Sequence, residues 1–311
     1  MANIITTQRA TQITSTMNRD IYKDWLSFLD TTPKTIETYE KGIKQFFNYM
    51  RLEGIQAPTR QDILSYRDQL RVNHKPSTIQ GYLTSVKLFF KWTAQEGIYP
   101  NIAEHIKGVK LDNTEHKKDY LTSHQVSELL QSIDRTTLGG KRDYAILSLM
   151  VTTGLRTISV TRANIEDIRT IGGEIALFYQ GKGHEERAEY VKLAPPVEKA
   201  IREYLQERGE LEGTAPLFAS LANKNGGERL TTRSLSRIAK EHFISIGLNS
   251  DRITAHSLRH TTATLNLLNG GSIEETQQLL GHKSINTTLI YAHALERAKN
   301  NSEARIASAI F

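Results

Sequence analysis

Two stretches in the first third of the chain are variants of one another: PKTIETYEKGIKQFFNYMRLEGI from Pro33 and PSTIQGYLTSVKLFFKWTAQEGI from Pro76, aligned without a gap. A segment that recurs at a fixed offset is one structural unit used twice, so both copies must adopt the same fold. Each opens on Pro and Thr and then places apolar residues at helical spacing. These are Ile36, Tyr39, Ile43, Phe46 and Phe47 in the first copy, and Ile79, Tyr82, Val86, Phe89 and Phe90 in the second. Each copy closes on Glu-Gly-Ile, where Gly54 and Gly97 supply a helix stop. Two long amphipathic helices are expected, with a shorter one from PTRQDILSYRDQL between them and another from YKDWLSFL ahead. Residues 18–108 thus read as an all-helical module, preceded by a polar tail over residues 1–17.

At 311 residues the chain has room for a second core. Residues 109–120, polar and charged through VKLDNTEHKKD, bury nothing and read as a linker. Residues 121–311 form the second domain. It opens with a capping-box pattern from Thr122 to Gln125, followed by a helix expected from Arg142 to Thr153 and stopped by Gly154. EIALFYQ and RAEYVKLA alternate as strands do and flank GKGHEE, which predicts a β-hairpin. The remainder is helical in pattern, broken at glycines, so this domain is mostly α with a small sheet.

A pI near 9.3 and a net charge of +6 fit a polyanionic partner, nucleic acid and anionic membrane surface alike. The excess is uneven, with 17 Lys/Arg against 12 Asp/Glu up to Lys118 and 23 against 22 beyond. No apolar run is long enough to span a bilayer and the N-terminus has no secretion-signal pattern, so a cytoplasmic protein without membrane contact is expected. Without cysteine there is no disulfide, thiol nucleophile or Cys-based zinc site.

Breaking a phosphodiester with a side chain requires a nucleophile, cations for the non-bridging oxygens and an acid for the departing oxygen. Four stretches of the second domain offer those types. In TTGLR, Gly154 ends a helix and sets Arg156 at the start of the next element. Lys182 lies between two glycines, where backbone can approach a ligand closely, although a solvated turn lysine looks the same. In AHSLRH, His256 and Arg259 share one helical face. LLGHKSINTTLIYAH contains His282 and, nine residues on, Tyr291. Singly, each has an ordinary explanation: a capping arginine, a surface pair, a core tyrosine beside Leu289 and Ile290.

In combination and order the set resembles the tyrosine recombinase, or phage integrase, family in its two-domain, Xer-like form. TGLR, AHSLRH and LLGHKSINTTLIYAH come near that family's wording, and the paired-helix module is similar to its core-binding domain. The resemblance implies an all-α, SAM-like core-binding module followed by a mostly α catalytic domain with a small β-sheet, the two closing on DNA as a C-shaped clamp. It implies a site-specific recombinase that cuts and rejoins strands through a 3′-phosphotyrosyl intermediate, with no cofactor and no metal. Carried over position by position, Arg156 and Arg259 clamp the phosphate, Tyr291 attacks it, and Lys182 protonates the leaving 5′ oxygen. His256 assists proton transfer at the tyrosine and His282 donates a hydrogen bond to the phosphate. The chemistry is consistent: a phenol with pKa near 10 is a weak nucleophile that needs nearby cations or a base, and the arginine fork bonds two phosphate oxygens at once. Where family members commonly carry Glu three residues after this arginine, the chain has Ser159, which bears on how Arg156 is held.

For DNA contact, Lys34, Thr35, Lys75, Ser77 and Thr78 at helix starts suit phosphates, and serve equally as N-caps. Arg233, Ser236, Arg237 and Lys240 share the polar face of TTRSLSRIAKEHF, suited to a groove. The chain ends in a polar helix with apolar Ile306, Ile310 and Phe311. The resemblance implies that this end docks on a neighbouring subunit of a tetramer assembled on double-stranded DNA with inverted half-sites; folding back on its own subunit is the alternative. Too few residues precede the helical module for the arm-binding domain of lambda-type integrases, which favours the simpler architecture. A type IB topoisomerase shares the catalytic set, but the paired helices and terminal segment argue against it. The complete set argues against a catalytically silent DNA-binding regulator.

Overall fold

The computed structural model describes residues 19–110, 119–181 and 186–311; the N-terminal tail and all but the ends of the expected linker lie outside them. The described residues fall into two compact units, one on either side of residues 111–118. In the first, α1 (Arg19–Phe28) precedes α2 (Pro33–Leu52), α3 (Arg60–Asn73) and α4 (Pro76–Gln95), so the two copies of the repeat are α2 and α4. Proline in the first turn of each presets φ where no amide partner is needed. Gly54 and Gly97 follow the last turns with φ of 65° and 64°.

The two copies touch at equivalent positions. Gly42 of α2 faces Ser85 of α4, its counterpart in the repeat, and a Cβ on Gly42 would lie 2.3 Å from Ser85 Oγ and 2.8 Å from Ser85 Cβ. Phe46 meets Phe90 edge-on at 5.9 Å, and Phe47 meets Phe89 edge-on at 5.2 Å; the repeat maps one contact onto the other. Contacts of like with like are what a two-fold axis produces, so this pair is locally symmetric. Trp25, Ile43, Phe46, Leu83 and Val86 are wholly buried around it. Each such side chain contributes about 1.5–3 kcal/mol, at roughly 25 cal/mol per Å².

The second unit is built around α6 (Leu138–Thr153), which follows α5 (Ser123–Gln131) and its Thr122–Gln125 capping box. Every residue of α6 from Ala145 to Val151 is buried, as expected of a helix covered on all sides. After α7 (Thr157–Arg162) come β1 (Ile168–Ile171), β2 (Glu174–Tyr179) and β3 (Glu189–Lys192), an antiparallel sheet in that order. Then follow α8 (Pro195–Arg208), α9 (Thr232–Ser245), α10 (Ala255–Leu268), α11 (Ile273–Leu280), α12 (Asn286–Lys299) and α13 (Ser302–Ile310). Among the described residues no helix is long and apolar enough to cross a membrane.

The two-domain, mostly helical class with a small sheet is as expected; three local expectations are corrected. The helix expected from Arg142 begins a turn earlier, because the Thr137 side chain caps the Gly140 amide at 3.0 Å, and Gly139–Gly140 fall where that cap replaces intrahelical bonds. At Gly140 a Cβ would collide with the Asp134 carbonyl. The hairpin has a third strand, β1, turned by Gly172 and Gly173 at φ of 58° and 82°, a pair suited to a tight hairpin turn. The polar C-terminal helix is two helices, divided where the Asn300 side chain accepts from the Ser302 amide at 2.8 Å and takes over from the backbone ladder.

The symmetric contact has a measurable consequence. Gly42→Ala should lower stability by about 1–3 kcal/mol through overpacking. In a Ser85→Gly background the same change should instead stabilise by up to about 1 kcal/mol, because alanine is the better helix residue once the clash is gone. Equal effects in both backgrounds, read by denaturant unfolding, would show that the two positions do not press on each other.

Candidate active site

Two helix ends meet at one guanidinium. Helix α6 stops at Gly154, whose φ of 65° is left-handed and whose amide donates to the Met150 carbonyl at 2.9 Å. A Cβ at Gly154 would sit 2.4 Å from Leu280 Cδ2, so glycine is required for both conformation and space. Helix α11 stops the same way at Gly281, with φ of 59°. Arg259, in α10 and only 4% exposed, donates to the Gly154 carbonyl at 2.6 Å and to the Leu280 carbonyl at 2.5 Å. Threonines fix α10 for this: Thr262 Oγ1 lies 2.8 Å from the Val151 carbonyl, and Thr261 Oγ1 accepts from the Leu121 amide at 2.8 Å.

Arg156 is the N-cap of α7, two residues beyond Gly154, and is half-buried. Among the described residues no carboxylate pairs with the Arg156 or Arg259 guanidinium. Burial first, and then the Arg156 charge, bring the Arg259 pKa down to about 10, with Tyr291 and Tyr179 opposing. It remains cationic at neutral pH. Arg156, Arg259, His256, Ser236 and Thr254 line an open pocket of about 310 Å³. Two cations without counter-anions among the described residues, facing an open pocket, form a receptor for an anion with several oxygens.

Tyr291, in α12, is 5% exposed and packs against Ala263 and Leu280. Its ring lies parallel to that of His282 at 6.4 Å and against that of His260 at 5.4 Å. His260 in turn meets His256 edge-on at 4.7 Å. Burial raises the Tyr291 pKa while Arg259 and Arg156 pull against it, so the phenol holds its proton until something further compensates. His282 pairs through Nδ1 with Thr288 Oγ1 at 2.9 Å. With the Thr288 hydroxyl as donor, the neutral ring carries its proton on Nε2 and offers an N–H. Burial, then Arg259, Arg156 and His256, bring the His282 pKa down to about 4.

The structure therefore gathers Arg156, Arg259, His256, His282 and Tyr291; Lys182 lies outside the described residues. Sequence reasoning passed over two neighbours. His260 is legible afterwards as the residue one helical turn beyond His256. Tyr179 ends β2, is 7% exposed, and hydrogen-bonds Glu189, its partner across the strands. Burial and Glu189 raise its pKa, with Arg259 and Arg156 opposing. Only the strand register brings it there.

The remaining candidates are scattered over the two units. In the helical module Lys34 is ion-paired with Glu37 at 2.5 Å, and Thr35 is bonded to the N-cap Thr32. Lys75, exposed with Ser77, caps α4 through its backbone alone, and Thr78 is half-buried. On α9, Arg233, Ser236 and Arg237 are exposed, Arg237 pairs with Glu241 at 3.0 Å, and Lys240 donates to the Ser250 carbonyl at 2.8 Å. Ile306, Ile310 and Phe311 are 60%, 68% and 103% exposed.

The depressed histidine makes a prediction. The folded state disfavours protonated His282, so the stability linked to it is complete above the ordinary value of 6.5 and is lost as pH falls from there through about 4. The His282 ring resonances should titrate near 4 in an NMR series, and His282→Gln should flatten the acid limb of the stability profile. A midpoint near 6.5 would mean that neither burial nor the arginines act on this ring.

Comparison with known proteins agrees with the geometry. The phage integrase family model matches residues 119–297, and the model of the phage integrase N-terminal SAM-like domain matches residues 20–98. Tyrosine recombinase XerC of Pelobacter propionicus is 32% identical over 84% of this chain and 85% of its own. Tyrosine recombinase XerC of Thermodesulfovibrio yellowstonii is 29% identical over 83% and 85%. The fold is that of the XerH site-specific recombinase in its post-cleavage complex with palindromic difH substrate, with a TM-score of 0.72 at 22% identity over 88% of this chain and 80% of that one. The chain belongs to the phage integrase family and is a tyrosine recombinase of Xer-like architecture.

Proposed function

We propose that this site-specific recombinase holds the scissile phosphate of double-stranded DNA between Arg156 and Arg259 and attacks it with Tyr291. The observation that carries this reading is the pair of guanidiniums that have no carboxylate partner among the described residues, beside a buried tyrosine. The Tyr291 oxygen bonds to phosphorus, the bond from phosphorus to the 5′ oxygen breaks, and the Lys182 ammonium gives that oxygen its proton. The phenolic proton leaves toward His256, with His260 packed between the two rings. His282 donates from Nε2 to a non-bridging oxygen. The 3′-phosphotyrosine keeps the energy of the broken bond, and attack by a 5′ hydroxyl of the partner strand reverses each step without ATP.

The helical module over residues 18–108 acts as a core-binding domain, joined by residues 109–120 to a catalytic domain over residues 121–311, in a protein working in the cytoplasm. Lys34, Thr35, Lys75, Ser77 and Thr78 take phosphates at the starts of α2 and α4, and Arg233, Ser236, Arg237 and Lys240 face the DNA from α9. Four copies assemble on inverted half-sites, each lodging Ile306, Ile310 and Phe311 on a neighbour. Their exposure in the single chain supports this, since an apolar end left in water invites a partner. The XerH complex holds a palindromic DNA, and a palindrome offers the same half-site to two copies.

One set of gels tests both parts. Tyr291→Phe should bind its cognate site with near-normal affinity and leave no adduct that survives denaturation; a persisting adduct would place the nucleophile elsewhere. A chain ending at Arg305 should fold and bind one half-site while recombination drops far more than binding. Normal recombination by that shortened chain would remove the terminal residues from the assembly.

A further inference from the structure

Ser159, which stands where the family commonly has Glu, lies on α7 one turn beyond Arg156 and is 2% exposed. Its hydroxyl donates to the carbonyl of Gln180 at 3.1 Å, just past the end of β2. On the returning side of the hairpin, Arg187 donates to the Asp167 carboxylate at 3.0 Å and to the Arg162 carbonyl at 3.3 Å. Asp167 is wholly buried and also accepts from the Asn164 amide at 2.7 Å. Arg229 secures the same end of α7, donating to the carbonyls of Thr161 and Ala163 at 2.8 and 3.0 Å. Both described ends of the hairpin loop are thus tied to one short helix, the entry to its middle through Ser159 and the exit to its C-terminus through Arg187. The N-cap of that helix is Arg156.

We infer that Ser159 is a positioning residue for proton transfer: by holding Gln180 it registers the strand that leads to Lys182 against the arginine that holds the phosphate. A serine suits this contact for a chemical reason. A hydroxyl can donate to a carbonyl, whereas an ionised carboxylate only accepts and would face the Gln180 oxygen as a like charge. An ionised glutamate at this position could not make the bond that Ser159 makes to Gln180. Its effect should fall on the step that Lys182 serves, because a displacement of about 1 Å in an acid can cost roughly 100-fold in rate. The inference rests on Lys182 being the general acid, so the test must fail separately for each.

The experiment compares single-turnover cleavage of an ordinary nicked substrate with one whose leaving 5′ oxygen is sulfur, which departs as a thiolate and needs no proton. Wild type, Lys182→Ala, Ser159→Ala and Ser159→Cys are measured alongside thermal melts and half-site binding; cysteine has nearly the size of serine but is a weak donor. Ser159→Ala should cleave the ordinary substrate on the order of 10-fold slower than wild type and the sulfur substrate at the wild-type rate. Ser159→Cys should show the same ratio in smaller measure, and it carries the comparison if the alanine variant does not fold. Lys182→Ala rescued by sulfur while the Ser159 variants are equally slow, or equally fast, on both substrates would overturn the positioning role alone. A Lys182→Ala variant that sulfur does not rescue would overturn the acid assignment and this inference with it.

Discussion

Arg259 carries a full charge into a place 4% exposed to solvent, and what meets it there is two carbonyls. Taking an ion out of water costs several kcal/mol even after relaxation, and a carboxylate is the usual remedy. A carboxylate would also cancel the charge. The carbonyls of Gly154 and Leu280 belong to the ends of α6 and α11, where helix dipoles are negative, so they stabilise the guanidinium without a formal anion. Much of the second unit serves that arrangement: two left-handed glycines, an α6 buried from Ala145 to Val151, and α10 threonines bonded to α6 and to the Leu121 amide.

The cation pair then orders its neighbours. It helps to keep His282 neutral and a hydrogen-bond donor, and it opposes the burial that holds the Tyr291 proton. On the proposed reading, a phosphodiester entering the pocket would supply the missing negative charge and place phosphorus among these groups together. Without that charge, burial still outweighs the arginines at Tyr291 and the phenol keeps its proton.

The parts of this fold legible in the sequence are those written in local periodicity. The repeat announced α2 and α4 because each apolar stripe persists over 20 residues. The symmetric contact of Gly42 with Ser85 was latent in that alignment, but which positions face each other depends on helix rotation. Strand β1 went unseen because four residues, IRTI, are too few to show a period. In the site, residue types and order pointed to Arg156, Arg259, His256, His282 and Tyr291. The partners of Arg259 did not show, since a carbonyl leaves no side-chain signature and Gly154 lies far back in the chain. Tyr179 with Glu189, and the bond from Ser159 to Gln180, exist only through strand register and the seating of α7.

The most direct measurement of the charge argument removes charge from the DNA instead of the protein. Arg156 is the cation to test, being half-buried and without a carboxylate partner among the described residues, so Arg156→Ala leaves the core intact. On an ordinary phosphodiester this variant should lose on the order of 100- to 1000-fold in cleavage, the scale of one preorganised charge contact. On a substrate with a neutral methylphosphonate at the scissile position, the gap between variant and wild type should shrink to within about 10-fold. An equal loss on both substrates would contradict the claim that this site is built around uncompensated positive charge awaiting a phosphate.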